Sequence, residues 1–227
     1  MPSLISTSRK PKRAVKTKVS AAAQETSVAL MLAAQKHFSE AGFKAASVHD
    51  IARSAGVNVS LVSYHFGSKE GLFKACLEQA GINRLEIAQR ILDCEPTSIE
   101  EIKVRLEMFI DEMLLDGIKN PEICAILHRD LHSEFHLIED IFKKTFLKTF
   151  QLLAAFLTEA KNKGILDSWV DPNLSTIHMM GAVIHTLKTD PIRARLFNES
   201  INNPSTRTYT RDYIIRTHLE GMLRRSK

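Results

Sequence analysis

Apolar residues recur at steps of three and four along almost the whole chain, and the period-two alternation of a half-buried strand is absent. Such a chain can bury its hydrophobic surface only by packing helix on helix, so the fold expected is all-α, with nine or ten helices. No repeat of 20–50 residues is present. A first helix is expected over 25–41, with Leu30, Ala33, Ala34, Phe38 and Ala41 on one face. Gly42 then supplies a residue for which a left-handed backbone is cheap, and Phe43 can fold back on the apolar face. A second helix opens at Ser47 with Asp50 three residues on, a variant of the capping box. Its inward positions are Val48, Ile51, Ala52 and Ala55, and Gly56 breaks it. Asn58 can cap a short third helix from Val59 to about His65, which Gly67 ends. Ser68 caps a long fourth helix from Lys69. Farther on, Ser98 with Glu101 marks another start, and the helix behind it runs to Gly117. Pro121 opens a helical region that continues to about Lys163. Asp171-Pro172 caps and opens a helix to about Lys188, Asp190-Pro191 repeats the device, and a last helix covers about 210–224.

With 44% apolar residues among 227, the chain can build a sizeable core. No apolar run is long enough to span a membrane and no apolar stretch near Met1 reads as a secretory signal, so a cytoplasmic protein without a membrane partner is expected. The cysteines Cys76, Cys94 and Cys124 are scattered and odd in number, reading as reduced, buried thiols. Residues 1–23 carry a charge of +6 against a total of +5, so the rest of the chain sums to −1. This stretch lacks hydrophobic periodicity and is expected to be a disordered basic arm. Three readings of it stand open: a segment lying along nucleic acid, an inert tail, or a targeting sequence.

Helix two, the Gly56 turn and helix three have the arrangement of a helix-turn-helix. Ala52, Ala55 and Gly56 let the two helices cross closely, leaving helix three able to enter a major groove. Val62 and Phe66 face inward, while Val59, Ser60, Ser63, Tyr64 and His65 are available for contact. The stretch from Phe38 to Phe73, FSEAGFKAASVHDIARSAGVNVSLVSYHFGSKEGLF, resembles the DNA-binding domain of TetR (tetracycline-repressor) type regulators. The resemblance rests on the F-x-x-x-G-F end of helix one, S-V-x-D-I-A in helix two, A-G-V at the turn, and Y-H-F-G-S-K-E-G-L-F into helix four. It implies a domain division at 1–23, 24–71 and 72–227, the last being a helical effector-binding and dimerisation domain. It also implies that Val59, Ser60 and Leu61 face base edges, and that Ser47, Tyr64, His65 and Lys69 face phosphates. Ser63 stands where the family often has Tyr, and His49 could reach a base or a phosphate or lie in solvent. Val59 and Leu61 can offer only apolar contact, and helix three lacks the Arg, Asn or Gln of a bidentate readout, so DNA shape is expected to help.

The C-terminal part carries no motif of its own. By resemblance, the partners are double-stranded DNA with a near-palindromic operator, a second copy of the chain, and an unidentified small-molecule effector. The expected function is a repressor released by that effector. The alternative is a ligand-independent dimeric DNA-binding protein whose larger domain only dimerises. The dimer is expected to use the helix ending near Lys163 and the helix 172–188, the latter through Ile177, Met180, Gly181, Ile184 and Leu187. Candidate effector contacts are Phe109, Met113, Leu127, Leu131, Phe135, Phe150 and Met180, with His128 and His132 as polar groups, around a cavity of roughly 300–1,000 Å³. His128, His132 and His136 recur every four residues, a spacing that can bind a metal but also fits a half-exposed flank. No phosphate-cradling glycine loop, nucleophile elbow or H-E-x-x-H is present. Neither an enzyme, a metal site nor a cofactor is expected.

Overall fold

The computed structural model describes residues 13–222; the side chains of residues 13–21, Leu131 and His132 lie outside the described residues. Ten α-helices and no β-strand occur among the described residues. They are α1 (Arg13–Ala45), α2 (Val48–Ser54), α3 (Ser60–Phe66), α4 (Lys69–Leu92), α5 (Ile99–Lys119), α6 (Pro121–Ser133), α7 (Phe135–Lys144), α8 (Phe146–Asn162), α9 (Pro172–Phe197) and α10 (Pro204–Met222). Helix α1 is continuous from Arg13, twelve residues ahead of the expected start, and so enters the stretch read as an arm. Residues 1–12 of that arm lie outside the described residues.

Side chains cap the starts of α2, α4, α5 and α9, because the first four amides of a helix have no partner within it. Ser68 accepts from the Gly71 amide at 3.0 Å, and Ser98 from the Glu101 amide at 3.1 Å. Glu101 reaches back to the Thr97 amide (3.0 Å) and hydroxyl (2.5 Å). Asp171 accepts from the amides of Asn173 and Leu174. The start at Ser47 is only half of a capping box: Ser47 Oγ accepts from the Asp50 amide at 3.4 Å, while the Asp50 carboxylate turns to Arg53 at 3.0 Å. An aspartate is one methylene short of the usual glutamate.

Two expectations are corrected. The region 121–163 is three helices, broken at Glu134 and at Thr145. Neither break has a glycine or proline; both are set by tertiary contacts described below. Asp190-Pro191 does not open a new helix. Pro191 lies inside α9, and the buried Asp190 carboxylate accepts instead from Ser200 Oγ (2.8 Å) and the Ile201 amide (2.9 Å), tying the α9–α10 turn to the helix.

Two apolar cores occur among the described residues. The first joins Leu30, Phe38, Ile51, Val62, Leu72, Phe73 and Leu77 of α1–α4 to Ile123 and Ile126 of α6 and Ile138 of α7. Within it Phe38 meets Phe73 edge-on at 5.1 Å and Phe43 lies 4.9 Å from Phe73. Each such aromatic pair adds about 0.5–1.5 kcal/mol beyond its buried area. The second core packs α5, α8, α9 and α10 around Leu106, Phe109, Leu114, Leu157 and Met179. Helix α4 belongs to both: Leu72–Ala80 face the first, Ala88–Leu92 the second. The helix-turn-helix thus sits on an apolar face of the larger domain and is not tethered to it by a linker.

Candidate functional site

Helix α3 is placed for contact by what its other side buries. Val62 is fully buried and Phe66 is half-buried against the first core, fixing the helix's rotation. Asn58 Oδ1 accepts from the Ser60 amide at 2.9 Å and caps the start. The opposite face then presents Ser60, Ser63 and Tyr64, the tyrosine 77% exposed. His65 is half-buried, its ring edge-on to Tyr64 at 4.9 Å. Val59 and Leu61 are partly buried against the core, which leaves only part of each for a base edge. His49 is exposed, and Ser47 is engaged as the α2 cap. Lys69 Nζ donates to the Lys44 carbonyl at 3.0 Å and lies 4.9 Å from the Phe43 ring centre; burial lowers its pKa. Arg53 of α2, not among the expected contacts, is strongly exposed and pairs with Asp50.

The larger domain contains a partly open cavity of about 170 Å³, below the range expected from sequence. Of the anticipated contacts, Met113, Leu127, His128, Phe150 and Met180 line it. Phe109 does not: it is wholly buried in the second core. Phe135 stacks edge-on with Phe142 at 5.6 Å and packs on the first core. Leu131 and His132 have side chains outside the described residues. His136 is exposed on α7, in a surface groove with Glu78 and Glu139, away from His128. No metal-holding cluster of His, Cys, Asp or Glu occurs among the described residues.

The lining also contains residues that the sequence reading missed: Cys124, Phe142, Phe146 and Thr149, together with Val183, Ile184 and Leu187 of α9 and, above all, Arg84 of α4. Arg84 Nε donates to Asp116 Oδ2 at 2.6 Å and Nη2 contacts Cys124 Sγ at 3.5 Å. Its guanidinium also lies 5.6 Å from the Phe146 ring centre. Asn120 Nδ2 donates to the other Asp116 oxygen at 2.9 Å. A signal for Arg84 was present: Leu77, Gly81, Arg84, Ala88 and Ile91 share one face at steps of four and three, and the other four are buried. His128 has its pKa lowered, first by burial and then by the charges of Lys188 and Arg84, against a hydrogen bond to the Ile184 backbone.

The two regions meet on α6. Arg129 donates to the carbonyl of Ser39 at 2.8 Å and to that of Phe38, and is paired with Asp130 at 2.9 Å. Those carbonyls belong to the last turn before α1 kinks at Gly42, where φ is +82° and ψ 165°. A Cβ at Gly42 would adopt a disfavoured backbone and stand 3.3 Å from Arg129 Nε. Two residues on, Lys44 Nζ pairs with the buried Glu134 carboxylate at 2.8 Å, the residue at which α6 gives way to α7. Cys124, Leu127 and His128 line the cavity from the same helix.

A recognition helix held by a three-helix core, mounted on an all-helical domain with its own cavity, defines a helix-turn-helix DNA-binding module joined to a larger helical domain. Residues 30–76 match the family model described as bacterial regulatory proteins, tetR family, and over this module the chain is similar to that family. It is similar to the HTH-type transcriptional regulator UidR of Escherichia coli, with 28% identity over 46% of this chain and 58% of UidR. It is also similar to the HTH-type transcriptional repressor NicS of Pseudomonas putida, with 34% identity over 47% of this chain and 49% of NicS. The chain thus spans about half the length of the curated relatives it matches. In fold it resembles the transcriptional regulator FadR of Bacillus subtilis, whose structure is a complex with stearoyl-CoA. That likeness has a TM-score of 0.68 and 16% identity, and covers 86% of this chain and 98% of FadR. No helix among the described residues is long and apolar enough to cross a membrane.

Proposed function

We propose that this chain is a homodimeric DNA-binding transcriptional repressor whose affinity for a near-palindromic operator is set by a small molecule in the α4–α9 cavity. The observation that carries the reading is the double duty of α6. Its Cys124, Leu127 and His128 face the cavity, while Arg129, held by Asp130, grips the end of α1. A ligand that displaces α6 must therefore disturb the seat of the DNA-binding module. It would favour a state in which two recognition helices no longer match successive major grooves, roughly 34–36 Å apart. The coupling is reciprocal, so operator weakens ligand binding by the factor that ligand weakens operator binding.

Residue roles follow from placement. Tyr64 and Lys69 serve phosphates; Lys69 would exchange its bond to the Lys44 carbonyl for one. Ser60 and the exposed part of Leu61 read base edges, and Ser47, His49, Val59, Ser63 and His65 flank them. The dimer forms through α8 and α9. Ile177 and Ile184 of α9 are 57% and 37% exposed, with Gly181 exposed between them and nothing within 4 Å of a Cβ built there. Met180 and Leu187, also anticipated at that interface, turn inward to the cavity.

The test is binding of the full chain to a selected operator and to random DNA. Tyr64→Ala should weaken both; Ser60→Ala should change the preferred sequence. If Tyr64→Ala leaves both affinities intact, α3 is not the DNA-reading helix. The small cavity favours one competing reading, a ligand-independent dimer. That reading prevails if no small molecule changes operator affinity.

A further inference from the structure

The cavity wall is mostly apolar, with Arg84 at one corner and His128 and Thr149 as its other polar side chains. Met113, Leu127, Phe142, Phe150, Met180 and Val183 supply most of its wall. At the corner stands Arg84, a charge removed from water, and its neutralisation is already complete within the protein. The guanidinium shares a 2.6 Å bond with Asp116, whose second oxygen is occupied by Asn120. Arg84 thus spends Nε on a carboxylate and Nη2 on a thiol sulfur. Its Nη1 has no hydrogen bond to a described residue.

These facts constrain what can enter. An anion would add a net negative charge beside a guanidinium that already has its counter-ion, in surroundings too apolar to solvate it; burying such a charge is costly. A pure hydrocarbon would fill the space and leave the Nη1 donor unmet. A cavity of about 150 Å³ in an unrelated protein holds benzene. The 170 Å³ here therefore suits one small ring with a short substituent. It is far too small for an acyl-CoA of the kind bound by the B. subtilis protein.

We propose that the ligand of this cavity is a small, uncharged aromatic molecule with a single hydrogen-bond acceptor, its ring among Phe142, Phe150 and Met180 and its acceptor on Arg84 Nη1. This rests on reading the cavity as the effector site. The Arg84–Asp116 pair then has a specific function. Asp116 holds the guanidinium in a fixed orientation and cancels its charge, so that the site selects a polar atom and rejects an ion. His128, whose pKa is lowered first by burial and also by the charges of Lys188 and Arg84, adds no charge to the wall.

The test is direct titration of the full chain, without DNA, by calorimetry with three probes of one size: acetophenone, ethylbenzene and benzoate. Losing one hydrogen bond to a charged donor corresponds to about 10–100-fold in affinity. Acetophenone is therefore expected to bind at least tenfold more tightly than ethylbenzene, and benzoate more weakly than either. Val183→Phe, which fills the cavity, should abolish acetophenone binding. Arg84→Lys keeps a charge for Asp116 but removes the Nη1 donors, and should bring acetophenone down to ethylbenzene. Benzoate binding best would make this an anion site and overturn the proposal. Equal affinity for acetophenone and ethylbenzene would remove Arg84 from recognition and overturn it too. So would binding of none of the probes, or binding that survives Val183→Phe. If the substituted chains do not fold, the three probes on the unaltered protein decide it. None of these outcomes touches operator binding through α3, which is measured separately.

Discussion

Arg129→Met should be the most informative single substitution, because it cuts the polar link between α6 and the end of α1 while keeping the side chain's apolar stem. The arginine makes two bonds to main-chain carbonyls, at Phe38 and Ser39, and one ion pair to Asp130. A hydrogen bond from a charged group is worth about 1.5–3 kcal/mol, and orphaning a buried carboxylate costs about 3–5 kcal/mol. Those figures cannot simply be added. The Arg129 side chain is 40% exposed, so water screens the pair and rehydrates the carbonyls, whereas the Asp130 side chain is only 5% exposed and stays buried. A net loss of about 2–3 kcal/mol follows, which for a chain of this size lowers the melting temperature by roughly 5–10 °C. Adding Asp130→Asn removes the orphaned charge and should recover part of the loss. Thermal unfolding of both single variants and the double variant measures the coupling. In the same proteins, the effect of ligand on operator affinity should shrink toward nothing. A melting temperature within a degree of the parent, a double variant no better than Arg129→Met, or undiminished ligand response would each refute the reasoning.

Other consequences can be measured independently. Gly81→Ala should cost about 1–3 kcal/mol in a denaturant titration, because the new methyl runs into Thr145 Oγ1 and lies 2.7 Å from Thr145 Cβ, a branched side chain already bonded to the Ile141 carbonyl. His128 sets a pH dependence. Its folded pKa is below the ordinary 6.5, so the unfolded chain takes up the proton first as pH falls, and stability present above 6.5 is lost progressively below it. His128→Gln should flatten that slope in melting temperatures taken between about pH 7 and pH 5. Ile184→Glu, at the rim of the cavity on the exposed α9 face, should shift sedimentation from dimer toward monomer and weaken operator binding; an unchanged dimer would move the interface elsewhere.

The parts legible in the sequence are those governed by local chemistry. Ser68, Ser98 and Asp171 cap helices where side-chain oxygens stand before apolar periods, and Gly42 adopts the positive φ expected of it. The parts that were not legible depend on neighbours remote in sequence. Thr145 ends α7 where that turn abuts Gly81 of α4, and Glu134 ends α6 where it meets Lys44. The pair Asp190-Pro191 has the composition of a helix start, but the buried carboxylate is used by a turn ten residues later. In the site, the residues of α3 follow from its period and length. The cavity does not, because its wall is drawn from six helices, and periodicity tells which side of a helix is apolar without saying which apolar side is left unfilled. Phe109 shows the difference: a core residue and a cavity residue have the same pattern.

The grip of Arg129 on α1 bears on how such a chain could exchange parts. Its acceptors are peptide carbonyls, which any α1 would present whatever its side chains. Besides apolar side chains for the shared core, a transplanted module would need a glycine at the kink, where any side chain crowds the guanidinium, and a cation two residues later for Glu134. This polar part of the junction asks little of the sequence of α1, so what remains to be matched is the apolar seat that Ile123, Ile126 and Ile138 offer; under the proposed function, operator and ligand preference could diverge separately while that seat is kept.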